Sequence, residues 1–244
     1  MPPLAGDSDV KQFLGQPAES TEIPLTGPSH LPGMDERSLT VAAVRSVGPD
    51  SVAIDIETPP EFDAQPGQFV KLTLAVDGED HSRFYTISSP DVDGEFEITI
   101  GIDPEGEVAP HIADLDAGDE VRIEGPFGSD YYEGEARAVI LAGGPGVGPA
   151  IGIAERALQE GNEAAVVYQD SDPIHVDRIE ALADDGALVE VLADDEDLTD
   201  AVAAAVADGG QVFVYGFADF LDEATAALEA AGVDGDDAKV ENFG

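Results

Sequence analysis

The hydrophobic pattern of this chain changes once, close to Arg137, and that change limits the fold more than any other feature. Over residues 39–124, short runs such as LTVAAVRSV, SVAIDIE, QFVKLTLAV, RFYTIS, FEITIGI and DEVRIEG alternate apolar and polar residues between turns containing Gly or Pro. Period-two alternation is typical of antiparallel strands with one buried face. The first half therefore predicts a six-stranded antiparallel barrel, interrupted by one helix at about 109–115.

After Arg137 the runs become almost wholly apolar, as in AVILAG, AAVVYQD and QVFVYG, and each is followed by a helical pattern. Apolar strands alternating with helices are typical of a parallel sheet covered on both faces. We predict a β domain at 37–132 and a five-stranded parallel Rossmann-like α/β domain at 133–244. Residues 1–36 are rich in Pro and lack a sustained period, which predicts a flexible N-terminal extension. Met34 precedes the first clear strand, so a translation start there and a docking arm both stay open.

The charge balance is extreme, with 53 acidic residues against 10 basic ones and a formal net charge of −43. Such a surface repels nucleic acid and anionic membranes, so neither is expected as a partner. The acidic residues are interleaved with periodic apolar residues, which argues for a folded chain and against disorder. We interpret the composition as halophilic, because molar salt shortens the screening length to about 3 Å.

The chain has no cysteine, which excludes disulfides and cysteine-ligated zinc or iron–sulfur clusters within it. No run of 18 apolar residues is present and the N-terminus lacks a signal pattern, so a cytoplasmic location is expected. The histidines, His30, His81, His111 and His175, are scattered without the spacing of metal ligands, which predicts surface roles.

A glycine-rich turn, LAGGPGVGPAIG, joins the first α/β strand to the next helix. Glycine lets the backbone approach a ligand closely, and a helix N-terminus offers free N–H groups to a pyrophosphate. Gly144, Gly146 and Val147 lie in the turn, and Pro149 suits the first helical turn because its missing N–H needs no partner there. In this strand–turn–helix context we favour dinucleotide binding over a purely structural turn.

The stretch HSRFYTISSP carries polar and aromatic residues inside an apolar run. Arg83 and Tyr85 are two apart in a strand and therefore share a face. An arginine can grip a phosphate with its fork of donors, and a tyrosine can stack on an aromatic ring. An ordinary amphipathic strand is the alternative for these residues alone.

A β domain followed by an α/β domain, with these motifs in this order, resembles the ferredoxin-NADP reductase superfamily over about residues 38–244. The resemblance implies that Tyr85 packs on the flavin ring, Arg83 binds the flavin phosphates and Thr86 hydrogen-bonds near flavin N5. It extends the cofactor-binding strand to Phe84, Ile87 and Ser88.

Two further segments are similar to the family. QPGQFVKL resembles its Pro-Gly-Gln-aromatic strand, and GEVAPHIADLDAGDEVRIEGPFG resembles its phosphate-binding helix start, placing Gly106, Val108 and Ala109 at the flavin phosphates. Ala109 stands where the family usually has serine, so backbone N–H groups are left for this contact. The cofactor implied is FAD, with FMN less favoured.

The C-terminal motifs also resemble the family, with one departure. Tyr215, Gly216 and Phe217 stand where Cys-Gly-Pro is common beside the nicotinamide, and the bulk of Tyr215 is expected to alter its approach to the flavin. The terminal ENFG resembles the family's Glu-x-Phe element, which places Glu241 and Phe243 at the edge of the flavin and nicotinamide pocket. The alternative is a last strand that buries a phenylalanine.

The residues at the end of the second α/β strand, VVYQDSDP, indicate whether NADH or NADPH is preferred. Asp170 and Asp172 are expected near the adenine ribose, where carboxylates suit a free 2′-hydroxyl and repel a 2′-phosphate. We therefore favour NADH over NADPH.

The resemblance implies a flavin-dependent oxidoreductase that passes hydride between NAD(P)H and bound FAD and exchanges electrons with a carrier such as ferredoxin. Two alternatives stay open. One is the electron-transfer reductase subunit of a multi-component oxygenase-type complex, and the other is a non-catalytic nucleotide-binding protein on the same scaffold. The acidic surface offers little attraction to an acidic carrier such as ferredoxin. We therefore expect either docking through apolar contact or a different redox protein as the partner.

Overall fold

The computed structural model describes residues 34–106 and 108–244, and the chain forms a β barrel followed by an α/β domain. The barrel consists of β1 Met34–Gly48, β2 Ser51–Glu57, β3 Phe69–Val76, β4 Glu79–Thr86, β5 Glu95–Gly101, α1 Ala109–Ala113 and β6 Glu120–Phe127. The α/β domain consists of β7 Arg137–Gly143, α2 Val147–Gln159, β8 Glu163–Gln169, α3 Val176–Asp184, β9 Leu188–Leu192, α4 Thr199–Val206, β10 Gln211–Gly216, α5 Ala218–Ala230 and β11 Lys239–Asn242.

The six barrel strands are antiparallel neighbours in the order β4-β3-β6-β1-β2-β5. The two outer strands meet through a bridge between Ile87 and Ile98 and through the Ser88 N–H, which donates to the Glu97 carbonyl. Ile54, Leu72, Phe96 and other inward residues fill the interior. The predicted six-stranded barrel is confirmed.

The five strands of the second domain are parallel, in the order β11-β10-β7-β8-β9. Ile140 on β7 packs with α2 on one face, and its neighbour Leu141 packs with α4 and α5 on the other. Burial of both faces explains why the strand is continuously apolar. The predicted α/β class is confirmed.

Two local boundaries differ from the sequence-based expectation. Strand β1 begins at Met34, because Met34 already pairs with Gly125 of β6, so residues 34–36 are strand and not extension. Residues 1–33 lie outside the described residues. Helix α1 ends at Ala113, two residues early, since a turn at 116–119 follows in which the Asp116 N–H donates to the Asp119 carboxylate.

Tyr132, expected to close the barrel domain, packs its ring in the core of the α/β domain. The linking segment thus contacts both domains, because the Tyr132 N–H also donates to the carbonyl of Pro66 at 2.9 Å. Within residues 34–106 and 108–244, no helix combines the length and apolar character needed to cross a bilayer.

Candidate functional site

A cavity of about 480 Å³ lies between the barrel and the α/β domain. The barrel contributes the end of β4, the end of β5 and the β1–β2 turn, and the α/β domain contributes the glycine-rich turn and the residues after β10 and β11. The predicted site residues that line it are Phe84, Tyr85, Thr86, Pro149, Phe217 and Phe243. Residues more than 150 positions apart in sequence thus meet at one cleft, as the two-domain prediction requires.

Tyr85 is half-buried in the cavity wall and pairs across the sheet with Val70 of β3. Burial raises the pKa of its phenol to about 12, although the charge of Arg83 opposes that rise. Tyr85 therefore presents a neutral aromatic ring over the whole physiological pH range.

The side chain of Thr86 contacts the C-terminal strand of the other domain. Its Oγ1 donates a 2.9 Å hydrogen bond to Oε1 of Glu241 on β11. Burial raises the pKa of the Glu241 carboxyl to about 7, the charge of Asp130 adds to the rise, and the bond from Thr86 opposes it. A carboxyl that titrates near neutral pH beside the cavity can hold or release a proton there.

Phe217 and Phe243 form the aromatic wall on the α/β side. Their ring centroids are 6.1 Å apart with an interplanar angle of 89°, and the Phe243 N–H donates to the carbonyl of Gly216. Phe217 is 51% exposed, so about half of its side chain faces solvent. Both residues line the cavity, and their role beside a flavin or nicotinamide stays a prediction.

The glycine-rich turn borders the same cavity through Pro145 and Pro149. Gly144 has φ of 54° and open space where a Cβ would stand, which suits close approach of a ligand. Gly146 differs, because a Cβ there would lie 2.3 Å from the carbonyl oxygen of Tyr215. Of the two predicted glycines, Gly144 is open to a ligand and Gly146 accommodates β10.

Two more glycines of this segment serve a purpose that the sequence analysis missed. A Cβ at Gly148 would lie 2.5 Å from the side-chain oxygens of Ser88 and Thr99, and one at Gly152 would lie 2.9 Å from the carbonyl oxygen of Ser88. These glycines let α2 pack directly on the barrel. Their four-residue spacing, which places both on one helix face, was the signal available in the sequence.

Several predicted cofactor contacts lie outside the cavity. Ile87 is fully buried in the barrel core, and the fully buried Ser88 faces α2. Val147 is fully buried in the α/β core. Tyr215, expected to obstruct the nicotinamide, is 1% exposed, and its hydroxyl would lie 2.7 Å from a Cβ at Gly67. The ring of Tyr215 fills the domain boundary, so it does not narrow the cavity.

The residues predicted to bind the flavin phosphates are not among those that line the cavity. Arg83 is exposed on β4, and its Nη1 donates to the Ser82 carbonyl at 2.9 Å. Gly106 contacts Asp103, which lines the cavity. Val108 is buried in the barrel core, and no side chain caps the five-residue α1 that begins at Ala109. Their role at a phosphate stays a prediction.

Asp170 lies at the end of β8, where the adenine ribose was predicted. Its carboxylate accepts from the Tyr168 hydroxyl and from the Asp172 N–H, each at 2.9 Å. The two bonds fix the orientation of the carboxylate. The proposed ribose contact remains untested.

The prediction of a surface role is wrong for His175. It is 5% exposed at the start of α3, its φ is 55°, and its Nε2 lies 2.9 Å from Oγ1 of Thr99 on β5. Burial lowers its pKa to about 3, and the charges of Arg178 and Arg45 add to that effect. The sequence carried no sign that the barrel would cover this residue.

Known proteins resemble this chain in both domains. Residues 38–132 match the family model described as the oxidoreductase FAD-binding domain. The electron transfer component of toluate 1,2-dioxygenase from Pseudomonas putida is 31% identical over 152 residues, which cover 59% of this chain and 45% of that protein. The chain spans less than half the length of the curated relatives it matches.

Two solved structures share the whole two-domain arrangement. The FAD/NAD-binding domain of nitric oxide dioxygenase from Vibrio cholerae superposes with a TM-score of 0.74 at 19% identity, covering 86% of this chain and 100% of that one. A ferredoxin NADP+ reductase from Neisseria gonorrhoeae gives 0.72 at 16% identity, with coverage of 86% and 100%. At these identities the likeness establishes the fold.

Proposed function

We propose that the protein is an NAD(P)H-dependent flavoprotein reductase of the ferredoxin-NADP reductase superfamily. Two observations support this: residues 38–132 match the oxidoreductase FAD-binding domain model, and the two domains share the fold of a ferredoxin NADP+ reductase. When bound, FAD would supply the chemistry of accepting a hydride and releasing the electrons to a second partner. The protein's own part is to bind, orient and exclude water.

The observation that carries this proposal is the cavity between the domains. It places Tyr85 and Thr86 of the FAD-binding domain opposite Phe217, Phe243 and the glycine-rich turn of the α/β domain. A flat apolar ring fits such a cleft, because neutral aromatic side chains line both sides and the hydrogen-bonding group, Thr86, lies at its edge. The residues present therefore fit a flavin.

Each residue has a distinct proposed role. The ring of Tyr85 stacks on the flavin ring, and Arg83, on the same face of β4, binds the phosphates. Thr86 orients the reacting edge while Glu241 fixes the Thr86 hydroxyl and holds a proton near neutral pH. Phe217 and Phe243 cover the ring where the nicotinamide would enter, and the open turn at Gly144 leaves room for its pyrophosphate.

We propose NADH as the preferred dinucleotide. Asp170 and Asp172 follow β8, and both carboxylates would repel a 2′-phosphate while suiting a free 2′-hydroxyl. Asp194 adds a third charge nearby, because its N–H donates to the side chain of Ser171 at 3.1 Å.

The proposed electron acceptor is another redox protein that docks by apolar contact in the cytoplasm of a salt-rich cell. Phe84 is 62% exposed at the cavity rim, and its ring lies 5.7 Å from that of Phe69. Docking through an apolar surface of this kind persists in high salt, whereas high salt screens the attraction between charged surfaces. The similarity to a dioxygenase electron transfer component favours an oxygenase-type partner as the second candidate.

The identity of the cofactor tests this proposal. Purified protein should be yellow, and denaturation should release FAD and not FMN. Arg83→Ala should lower the flavin content, whereas Arg37→Ala, which removes an ion pair with Glu61 on the barrel, should leave it unchanged. A colourless protein that gains no flavin on incubation with FAD would overturn the proposal.

A further inference from the structure

A partly buried network of charges crosses the boundary between the two domains. Its centre is Glu97, which lies on β5 and is 6% exposed. Oε1 of Glu97 accepts from Nη1 of Arg178 on α3, and Oε2 accepts from Nη2 of Arg45 on β1, each at 2.7 Å. One carboxylate thus joins an arginine of each domain.

Arg178 connects three segments that border the cavity. Besides Glu97, it donates through Nη2 to the carbonyl of Ser88 at 2.9 Å. Its Nε and Nη2 also bind the two carboxylate oxygens of Glu155 on α2, at 2.9 and 2.7 Å. Ser88 lies two residues after Thr86 in the proposed flavin strand, and Glu155 lies on the helix that begins at the glycine-rich turn. The guanidinium therefore ties the proposed dinucleotide-binding helix to the flavin strand.

Neighbouring contacts make the same connection without charge. The side chains of His175 and Thr99 hydrogen-bond across the boundary, and the His175 N–H donates to the Val47 carbonyl at 2.8 Å. Gly148 and Gly152 bring α2 against the barrel, as described above. The boundary is thus close-packed on both sides of Arg178.

Such a network specifies geometry more than it adds stability. Buried ion pairs gain little over well-packed apolar groups, because both ions lose their hydration. What such pairs add is orientation, since an arginine that donates two hydrogen bonds holds its partners only in a narrow range of positions. Helix α2 is 13 residues long, so holding Glu155 also fixes Pro149 at the cavity.

We propose that Arg178 and Glu97 are positioning residues that set the spacing and orientation of the two halves of the cavity. Through that geometry they align the bound nicotinamide with the flavin ring. The kinetic consequence rests on the function proposed above, whereas the structural consequence does not. Neither residue touches the cavity, so both act through α2 and β5.

The structural consequence can be measured by pulsed electron paramagnetic resonance on the full chain. Because the chain has no cysteine, Glu79→Cys on β4 and Asp208→Cys after α4 place spin labels on one exposed site in each domain. We expect one narrow distance distribution in the parent and a broadened or shifted one after Glu97→Gln or Arg178→Met. Arg122→Met is the matched control, because its carboxylate partners Asp80 and Glu36 lie within the barrel. Unchanged distributions in both variants would overturn the proposal.

The kinetic consequence is measured by rapid mixing of the flavin-loaded protein with NADH. The rate of flavin reduction at saturating NADH should fall about 10- to 100-fold in Glu97→Gln and Arg178→Met, since small misplacements of reacting groups have effects of that size. The dissociation constant of NADH should change little, because the glycine-rich turn lies in one domain. Arg178→Lys should restore only part of the rate, since lysine lacks the fork of donors. Unchanged rates in folded, flavin-loaded variants would contradict the proposal.

A replacement variant and a control reduction distinguish failure of the positioning role from misfolding and from failure of the proposed function. If Glu97→Gln fails to fold, Glu155→Gln replaces it, since that carboxylate is 25% exposed and its loss keeps Glu97 paired with Arg178. A smaller distance shift and rate loss are expected there, and no change in either would count against the proposal. If dithionite reduces the parent's flavin but NADH and NADPH do not, the proposed function is wrong, and the distance measurement alone decides on the positioning role.

Discussion

Thr86 Oγ1 donates a 2.9 Å hydrogen bond to Glu241 Oε1, which joins the proposed flavin strand of the barrel to the last strand of the α/β domain. The bond spans 155 positions in sequence and lies beside the cavity. It couples the side chain that we propose orients a flavin to a carboxyl whose pKa burial raises to about 7. The stability of the two-domain arrangement should therefore depend on the protonation of Glu241.

Replacement of Glu241 by Gln should change how stability depends on pH. Burial raises the folded-state pKa to about 7 from an ordinary value of 4.5, so the folded protein binds this proton more tightly than the unfolded chain does. The resulting stabilisation is complete below about pH 4.5 and is lost as the pH rises through about 7. Over that window the free energy of unfolding of the wild type should fall by about 1–3 kcal/mol relative to Glu241→Gln. Urea titrations in constant high salt measure it, and parallel pH profiles would contradict the assignment.

The role of Tyr85 can be separated into its ring and its hydroxyl. Because burial raises the pKa of this phenol to about 12, the hydroxyl stays neutral, and the ring is the surface that we propose stacks on the flavin. Tyr85→Phe should bind FAD about as tightly as the wild type, and Tyr85→Ala about tenfold or more weakly. Fluorescence titration of the flavin-free protein measures both. Equal weakening in the two variants would assign the binding to the hydroxyl.

Gly152→Ala tests the contact of α2 with the barrel. The added Cβ would lie 2.9 Å from the Ser88 carbonyl oxygen, which is backbone and cannot rotate away. We expect destabilisation of about 1–3 kcal/mol, typical of an overpacked core. Gly101→Ala is the control, because a Cβ there meets nothing within 4 Å and its φ is not left-handed. Equal stability of the two variants in thermal unfolding would refute the close packing.

The net charge of −43 predicts a strong dependence of stability on salt. Raising KCl from about 0.1 M to about 2 M shortens the screening length from about 10 Å to a few Å, which weakens the repulsion between carboxylates. The melting temperature should rise steadily, by about 2–4 °C for each kcal/mol gained. Differential scanning calorimetry across the salt series measures the rise. A melting temperature that is constant or falls would rule out the halophilic interpretation.

The fold could be predicted from the sequence because each half follows a single hydrophobic period. The alternating FEITIGI becomes β5 and the continuous AVILAG becomes β7, as their patterns indicate. Tyr85, Thr86 and Phe243, which were predicted from short motifs, all line one cavity, and their roles there stay predictions.

Residues at the domain boundary could not be predicted, since their role depends on which surface covers them. Glu97 occupies a polar position in β5, where alternation indicates solvent, and His175 follows a loop with no pattern. Both are buried only because α2 and α3 dock on the barrel. The burial of Tyr215 could not be predicted for the same reason, because the strand pattern does not show how far a long side chain reaches into the other domain.

The central claim, that the cavity joins a flavin to a dinucleotide, is tested most directly by mixing the yellow protein with NADH in molar KCl without air. The flavin colour should bleach on NADH addition, and more slowly with NADPH because of Asp170 and Asp172. Protein that keeps its colour with both nucleotides, yet bleaches with dithionite, would contradict the claim.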